Sequence, residues 1–336
     1  MRIAVDAMGG DHAPGSIIDG ALAAARHLNI GLVLTGRSDL IDAELARHPD
    51  AGELDIRVID APDVVGMSES PTSALRRKSR TSIRQAADAV ARGEAGALVS
   101  AGNTGATVMA AHASFGMLPG VDRPALAATV PSGDALGVLL DVGANADCRA
   151  PHLLQFAVMG SVYAKVAFGI DDPRIGLLSI GEEEGKGNEL IRDAHQLLKS
   201  SALHFVGNVE AREVYKGSAD VIVCDGFTGN IALKVSEGLV DTVERLLGEE
   251  LSRTFSGMVG SLLSRRAFRR FSRRLDYSEY GGAPLLGVGA VCFVCHGRSS
   301  AKAIRNAVAM AHRFGAAGFL ERIGHEIAAL SASKSA

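Results

Sequence analysis

The segment SAGNTGA, residues 100–106, shows most directly how this chain folds. It follows the apolar residues 97–99 and precedes a helical pattern, so we predict that it is a tight connection from a strand into a helix. Similar connections recur as DVGAN at 141–145 and DGFTGN at 225–230. Each places glycines, amides and hydroxyls where a strand ends. One such turn alone is typical of any α/β protein, but the repetition predicts polar groups gathered at strand ends, where α/β proteins bind ligands.

Strands and helices are predicted to alternate along most of the chain. Strand-like runs lie near residues 2–6, 32–35, 55–60, 97–100, 126–130, 137–142, 175–180, 203–206, 220–224 and 290–295. Helical patterns lie near residues 15–28, 71–92, 104–113, 151–168, 187–200, 228–251 and 299–313. This alternation predicts a three-layer α/β/α fold with a largely parallel sheet. We expect one two-lobed domain over 1–330 and a loose tail at 331–336.

The composition predicts a core of small aliphatic side chains. Apolar residues make up 47% of the 336 residues, whereas aromatic residues make up only 4% and tryptophan is absent. A net charge of -3 does not indicate a nucleic-acid partner. A strand-like run begins at residue 2, no run of about 18 apolar residues occurs, and four cysteines suit a reducing compartment. We therefore expect a cytoplasmic protein.

One basic segment departs from the α/β pattern. Residues 253–275 contain seven arginines and no acidic residue, and their apolar residues fall at helical spacing. This predicts a basic amphipathic helical arm at about 252–280, suited to an anionic partner, either a membrane surface or an acidic protein. The alternative is a solvated helix that packs on the body or on a second subunit. The predicted membrane contacts are Leu262, Leu263, Arg265, Arg266, Arg269, Arg270 and Phe271.

The strand-to-helix turns have a chemistry that suits phosphate. Free backbone N–H groups at a helix start attract anions, and glycine lets an oxyanion approach them closely. The loop GEEEGKGN at 181–188 resembles a P-loop, but it is one residue short and has Gly187 where Ser or Thr should hold magnesium. We therefore reject an ATPase. Lys186 can still neutralise a bound phosphate, or it can simply pair with the adjacent glutamates.

Seven motifs in order resemble those of the bacterial phosphate acyltransferases. They are DAMGGDHAP at 6–14, SAGNTGA at 100–106, DVGAN at 141–145, GEEEGKGN at 181–188, GNVE at 207–210, DGFTGN at 225–230 and YGGAPLLG at 280–287. The resemblance implies a fold similar to that of isocitrate and isopropylmalate dehydrogenases, and a homodimer. It implies transfer of a long-chain acyl group from an acyl carrier protein thioester to inorganic phosphate. A membrane glycerol-3-phosphate acyltransferase would consume the acyl phosphate.

The residues agree with such a reaction. Phosphate is a charged nucleophile and a thiolate is a good leaving group, so the enzyme needs to bind, orient and stabilise an oxyanion. No serine-hydrolase elbow and no metal motif occur, so we expect neither a covalent nucleophile nor a metal or cofactor. The predicted catalytic residues are Lys186, Asn230 and His12; His12 would protonate the thiolate or orient phosphate. The predicted phosphate and substrate ligands are Gly10, Gly102, Asn103, Thr104, Gly105, Asp141, Asn145, Asn188, Asp225, Thr228, Gly229 and His296.

Three other functions compete with this hypothesis. Phosphate acetyltransferase performs the same reaction on small acyl-coenzyme A thioesters. A metal-dependent 2-hydroxyacid dehydrogenase of the same fold would need clustered carboxylates that these turns do not show. A membrane scaffold without enzyme activity would use only the arginine arm and would leave the polar turns unexplained.

Overall fold

A computed structural model describes residues 1–268 and 281–333 of the chain. Its strands are β1 (Arg2–Asp6), β2 (Gly31–Gly36), β3 (Ile56–Asp60), β4 (Ala97–Ser100), β5 (Ala125–Ser132), β6 (Ala135–Leu140), β7 (Ile175–Ser179), β8 (Phe205–Glu210), β9 (Val221–Val223), β10 (Ala283–Leu286) and β11 (Val291–Val294). Its helices are α1 (Gly15–Leu28), α2 (Ser38–Leu45), α3 (Pro71–Arg77), α4 (Ser82–Ala91), α5 (Thr104–Phe115), α6 (Ala150–Phe168), α7 (Glu189–Lys199), α8 (Gly226–Ser252), α9 (Phe255–Leu263), α10 (Ala301–Ala316) and α11 (Phe319–Ser333).

All the described strands join in one sheet, in the order β3-β2-β1-β4-β11-β10-β5-β6-β9-β7-β8. The five strands from β3 to β11 are parallel, and so are the four from β6 to β8. Between them, β10 is antiparallel to both of its neighbours, and β5 is antiparallel to β6. The two parallel halves therefore run in opposite directions. The predicted α/β fold with a largely parallel sheet is confirmed.

Two apolar layers cover the two faces of the sheet. Within β1, Ile3 and Val5 belong to one buried cluster and Ala4 to the other, as the two-residue alternation of a strand requires. The first layer includes Tyr163 of α6, which stacks on Phe314 of α10 at 5.4 Å between ring centroids. The second layer, under α4 and α5, consists mainly of alanines and valines. Small side chains let these helices approach the sheet closely.

Several predicted elements differ from the structure. The helix predicted at 71–92 is two helices, because Thr81 caps α4 by accepting a hydrogen bond from the backbone N–H of Arg84 at 3.3 Å. Strand β10 was not predicted, since it is short and contains a proline. Helices α2 and α11 were not predicted either. Helix α11 continues to Ser333, three residues into the predicted loose tail, and residues 334–336 lie outside the described part of the chain.

The predicted arm is helical where the structure describes it. Helix α8 breaks after Ser252, and α9 begins with Thr254, whose hydroxyl accepts a hydrogen bond from the N–H of Gly257 at 3.0 Å. Residues 241–250 are all exposed, so this half of α8 projects from the body. The predicted contacts Arg269, Arg270 and Phe271 lie outside the described residues. Among the helices described, none is both long and apolar enough to cross a membrane.

Candidate active site

The turn 141–145 is organised by one buried carboxylate. Asp141 accepts hydrogen bonds from the backbone N–H groups of Leu126, Gly143, Ala144 and Asn145, at 2.8 to 3.1 Å. The Asn145 side-chain amide donates to Asp141 and to the Pro124 carbonyl. Burial raises the pKa of Asp141. The Asp141 carboxylate and the Asn145 amide nitrogen are thus engaged within the protein, where they position the turn. The predicted contact of these two residues with phosphate stays a prediction.

The start of helix α8 packs against the turn 141–145. Asp225 caps the helix, accepting hydrogen bonds from the N–H and the hydroxyl of Thr228, both at 2.8 Å. Gly229 packs so tightly that an added Cβ would collide with the carbonyl oxygen of Asp141. Gly143 has a φ of 138°, and a Cβ there would lie 3.6 Å from Asn230 Cγ. Asp225, Thr228 and Gly229 therefore form a frame that holds Asn230 against the turn 141–145.

A second group of turns follows β1, β4 and β11. Ser100 donates its hydroxyl to the buried carboxylate of Asp6 at 2.8 Å and accepts the N–H of Gly102 at 3.1 Å. Gly10 has a φ of 106°, and a Cβ there would lie only 2.9 Å from the carbonyl oxygen of Gly297. The N–H of Asp11 donates to that same carbonyl at 2.7 Å. The predicted turns at Gly10 and Gly102 therefore lie together with the loop that holds His296.

Asn103 has a structural role within this group. Its side-chain oxygen caps α5 by accepting the N–H of Ala106 at 3.1 Å. Its amide nitrogen lies within 3.3 Å of the carbonyl oxygens of Gly66, Met67 and Glu69, to which it donates. Asn103 thus anchors the loop at 66–69 and holds the start of α5 in place, which leaves Thr104 and Gly105 to face the site.

A cavity of about 300 Å³ lies between α5 and α8, over the antiparallel strands at the centre of the sheet. It brings together four of the predicted residues from both halves of the sheet: Thr104, Gly105, Asn230 and His296. Four polar residues that the sequence analysis missed also line it: Thr129, Lys234, Glu237 and Ser299. Its apolar wall includes Leu126, Ala128, Val142, Leu233 and Val294. The cavity thus combines hydrogen-bonding groups with an apolar surface.

Lys234 and Glu237 extend the polar face that Asn230 begins. They follow Asn230 by four and seven residues, so all three lie on one side of α8. The Lys234 ammonium donates to Glu237 Oε2 at 2.8 Å. This spacing was readable in the sequence, and helical periodicity applied from Asn230 onward could have found both residues.

His296 presents a neutral imidazole to the cavity. Burial, and then the nearby Lys234 ammonium, lower the pKa of His296, so the ring is uncharged at neutral pH. Its Nδ1 accepts the backbone N–H of Arg298 at 3.1 Å. The neutral ring therefore carries its proton on Nε2, which is a hydrogen-bond donor suited to an oxyanion.

Other predicted residues do not line this cavity. His12 is exposed in the loop after β1. Lys186 stands between β7 and α7, as predicted, and is exposed; Asn188 caps α7 by accepting the N–H of Ile191 at 3.0 Å. Strand β7 lies beyond β9 from the centre of the sheet, and neither Lys186 nor Asn188 lines the cavity. Their predicted roles in binding phosphate stay predictions.

The described residues offer one triad of possible metal ligands, Asp19, Glu44 and His48. It lies on and beside α1 and α2, and none of its members lines the cavity. His48 Nε2 already pairs with Asp19 at 2.9 Å, and the Glu44 carboxylate accepts from Arg47 at 2.7 Å. The ion pair of His48 with Asp19 accounts for two of the three side chains, and Glu44 is paired with Arg47 outside the triad.

Comparison with known proteins decides the family. The family model described as "Fatty acid synthesis protein" matches residues 1–322. A protein named phosphate acyltransferase from Geotalea uraniireducens (strain Rf4) is 49% identical over 327 residues, 97% of this chain and 94% of its own length. Another of that name, from Pelotomaculum thermopropionicum (strain DSM 13744 / JCM 10971 / SI), is 50% identical over 311 residues, 93% and 90% of the two chains. The chain belongs to the bacterial phosphate acyltransferases. It is therefore an enzyme, a transferase that acylates phosphate.

Solved structures agree on the fold. A phosphotransacetylase from Streptococcus pyogenes aligns with a TM-score of 0.62 at 19% identity, covering 93% of each chain. A 4-hydroxythreonine-4-phosphate dehydrogenase from Klebsiella pneumoniae aligns with a TM-score of 0.53 at 15% identity, covering 94% of this chain and 99% of its own. At such low identity the likeness concerns fold alone. It confirms the predicted relation to a dehydrogenase fold.

Proposed function

We propose that this phosphate acyltransferase moves a long-chain acyl group from an acyl carrier protein thioester to inorganic phosphate. The observation that carries the proposal is the cavity itself, where Asn230, Lys234 and His296 face an apolar wall. The polar side suits phosphate and a developing oxyanion, and the apolar side suits a hydrocarbon chain. The acyl phosphate would then serve a membrane glycerol-3-phosphate acyltransferase.

The residues of the cavity suit direct attack by phosphate on the thioester. A phosphate oxygen attacks the thioester carbonyl carbon, a C–O bond forms, and the carbonyl oxygen becomes an oxyanion. The C–S bond then breaks, and the thiolate leaves and takes up a proton. The Asn230 amide and His296 Nε2 are donors for phosphate or the oxyanion, with the Lys234 charge nearby. His12 is a further candidate, either to protonate the thiolate or to orient phosphate.

The thiol of Cys295 also lines the cavity, yet it is a poor acyl acceptor. Burial raises the pKa of Cys295 to about 12, so the thiol stays protonated at neutral pH. Because the thiolate is the nucleophilic form of cysteine, this burial argues against an acyl-cysteine intermediate. Phosphate remains the nucleophile in the proposed reaction.

The first prediction concerns the reaction itself. Mixing the enzyme with palmitoyl carrier protein and phosphate should release free carrier thiol and palmitoyl phosphate in equal amounts, without added metal or nucleotide. Thiol titration and mass spectrometry measure the two products. Acetyl-coenzyme A serves as the competing donor, and its preferred use would favour a phosphate acetyltransferase. An acyl adduct trapped on the protein, or activity lost to a chelator, would contradict direct transfer.

We also propose a homodimer and a membrane contact, both involving the exposed faces of α8 and α9. Apolar side chains spaced four residues apart along α8 are exposed to solvent. They are Phe227, Ile231, Val235 and Leu239, which are 49 to 65% exposed. Such a stripe suits a second copy of the chain. Beyond it, Leu262 and Leu263 are 69% and 80% exposed, and Arg265 and Arg266 follow them. Exposed leucines beside arginines suit an anionic bilayer surface.

A charge placed on the arm tests the membrane contact. The double variant Leu262→Glu and Leu263→Glu should lose flotation with anionic liposomes, because burial of two leucines is lost and two negative charges face the lipid. Wild-type flotation should weaken with salt. Turnover in solution should stay within about twofold, since neither leucine lines the cavity. Val206→Glu, which changes a 41% exposed residue of β8, is the matched control. Unchanged flotation would contradict membrane contact, and dissociation of a dimer would assign the leucines to the subunit interface.

A further inference from the structure

Two buried polar atoms at the cavity have no hydrogen-bond partner among the residues that the structure describes. They are Ser299 Oγ and Glu237 Oε1, and both residues line the cavity. Ser299 is only 4% exposed. Burying a polar group without a partner costs free energy, so a ligand that supplied the missing hydrogen bonds in this cavity would gain affinity from these two atoms.

The direction of these two missing hydrogen bonds identifies the ligand chemistry. Glu237 Oε2 already accepts from the Lys234 ammonium at 2.8 Å, so Oε1 remains as an acceptor that needs a donor. The Ser299 hydroxyl can donate as well as accept. A phosphate dianion presents mainly acceptors and would be repelled by the Glu237 carboxylate. A neutral group that offers an N–H and a carbonyl together suits both atoms.

We propose that Glu237 and Ser299 bind a secondary amide in the thiol arm of the acyl-thioester donor. The amide N–H donates to Glu237 Oε1, and its carbonyl accepts the Ser299 hydroxyl. The proposal rests on the proposed function, because a thioester donor must enter this cavity. The amide-bearing phosphopantetheine arm is common to acyl carrier protein and acyl-coenzyme A. The apolar residues Val294 and Ala303 line the same cavity and suit the methylene groups that separate the amides of this arm.

Phosphate then occupies a different part of the same cavity. Asn230 and His296 Nε2 supply donors and carry no negative charge, whereas Glu237 carries one. The cavity would therefore separate its two substrates by charge. This assignment makes Glu237 and Ser299 residues that select the donor, and it predicts that their loss spares phosphate binding.

Two substitutions and two donors test the proposal. Ser299→Ala removes the hydroxyl, and Glu237→Gln places an amide donor where an acceptor is needed. The donors are palmitoyl-pantetheine and palmitoyl-butanethiol, which lacks amides. The wild type should prefer the amide-bearing donor by at least about tenfold in kcat/KM. Each variant should lower kcat/KM at least about fivefold more for palmitoyl-pantetheine than for palmitoyl-butanethiol, and this difference should appear in KM for the thioester rather than in KM for phosphate.

Matched controls separate this effect from general damage. Ser132→Ala removes another buried hydroxyl without a partner in the described chain, but Ser132 does not line the cavity. Glu213→Gln weakens another ion pair between residues three apart, that of Glu213 with Lys216 at 3.8 Å, which lies in a turn away from the cavity lining. Both controls should keep the donor preference, and Ser299→Ala should keep the wild-type melting temperature. Palmitoyl carrier protein and palmitoyl-coenzyme A, assayed in parallel, should both lose affinity in the two variants.

Two results would overturn the proposal in distinguishable ways. An unchanged donor preference in both variants, with an active wild type, would overturn the amide site alone. A raised KM for phosphate in both variants, with an unchanged KM for palmitoyl-pantetheine, would assign Glu237 and Ser299 to phosphate instead. Absence of wild-type turnover with every thioester would refute the proposed function itself.

Discussion

Replacing Asn230 by alanine should lower turnover by roughly tenfold to a thousandfold, the range for losing one donor to an oxyanion. Asn230 stands in the first turn of α8 and faces both the cavity and Gly143. Its side chain is exposed to the cavity, so the variant should fold and melt as the wild type does. Steady-state kinetics with palmitoyl carrier protein and phosphate measures the loss. Thr242→Ala, further along the same helix, is the control and should keep full turnover, because its hydroxyl bonds only within α8 at 2.7 Å.

The variant Lys186→Ala tests a second predicted catalytic residue, and its effect can be compared with that of Asn230→Ala. We propose it as a phosphate ligand on its chemistry and its place before α7, although it does not line the cavity. Lys186→Ala should therefore lower turnover on the same scale as Asn230→Ala. Lys199→Ala is the matched control, because Lys199 pairs with Glu184 at 2.9 Å on the same side of the fold. Wild-type kinetics in Lys186→Ala would remove the loop 180–188 from the site and leave Lys234 as the cation that serves phosphate.

Replacing Asp141 by alanine should destabilise the protein more than any other change considered for this site. Four backbone N–H groups would lose their acceptor, two of them buried and two half-buried, and each buried unsatisfied group costs about 1–3 kcal/mol. Because water can enter part of the space, we expect a total loss of about 3–5 kcal/mol in the free energy of unfolding. Turnover should fall at least about tenfold, since this turn holds Gly143 against Asn230.

Urea denaturation measures the loss of stability, with two comparison variants. Asp141→Asn keeps one oxygen acceptor but turns an N–H₂ group toward the donors of Asn145, so its loss should be intermediate. Asp171→Asn, at an exposed position, should leave stability within about 0.5 kcal/mol. Wild-type stability in Asp141→Ala would show that the turn does not depend on the carboxylate.

Local features of the site could be predicted from the sequence because they depend on residues a few positions apart. Asn103 and Asp225 each precede a helix and cap it through the N–H three residues later. Such capping needs only the right residue type beside the helix start. The alternation of strands and helices, the strand-to-helix turns and the helical arm follow from equally short-range patterns, and the seven motifs together were specific to the family.

The composition of the cavity could not be predicted in the same way, because it depends on pairings between distant segments. Strand β10, too short to stand out, pairs antiparallel with β11 and β5, and the further antiparallel pairing of β5 with β6 reverses the direction of the second half of the sheet. Within that half, α8 follows β9 and contributes to the cavity, whereas Lys186, which follows β7 beyond β9, does not line it. Lys234 and Glu237 line the site only because α8 crosses there. Ser299 belongs to the loop after β11 and becomes buried only when that loop packs in the folded chain. Sequence by itself determined the elements, their caps and the family; the tertiary structure alone decided which strand ends share a cavity, because strand direction is set by contacts between residues far apart in the chain.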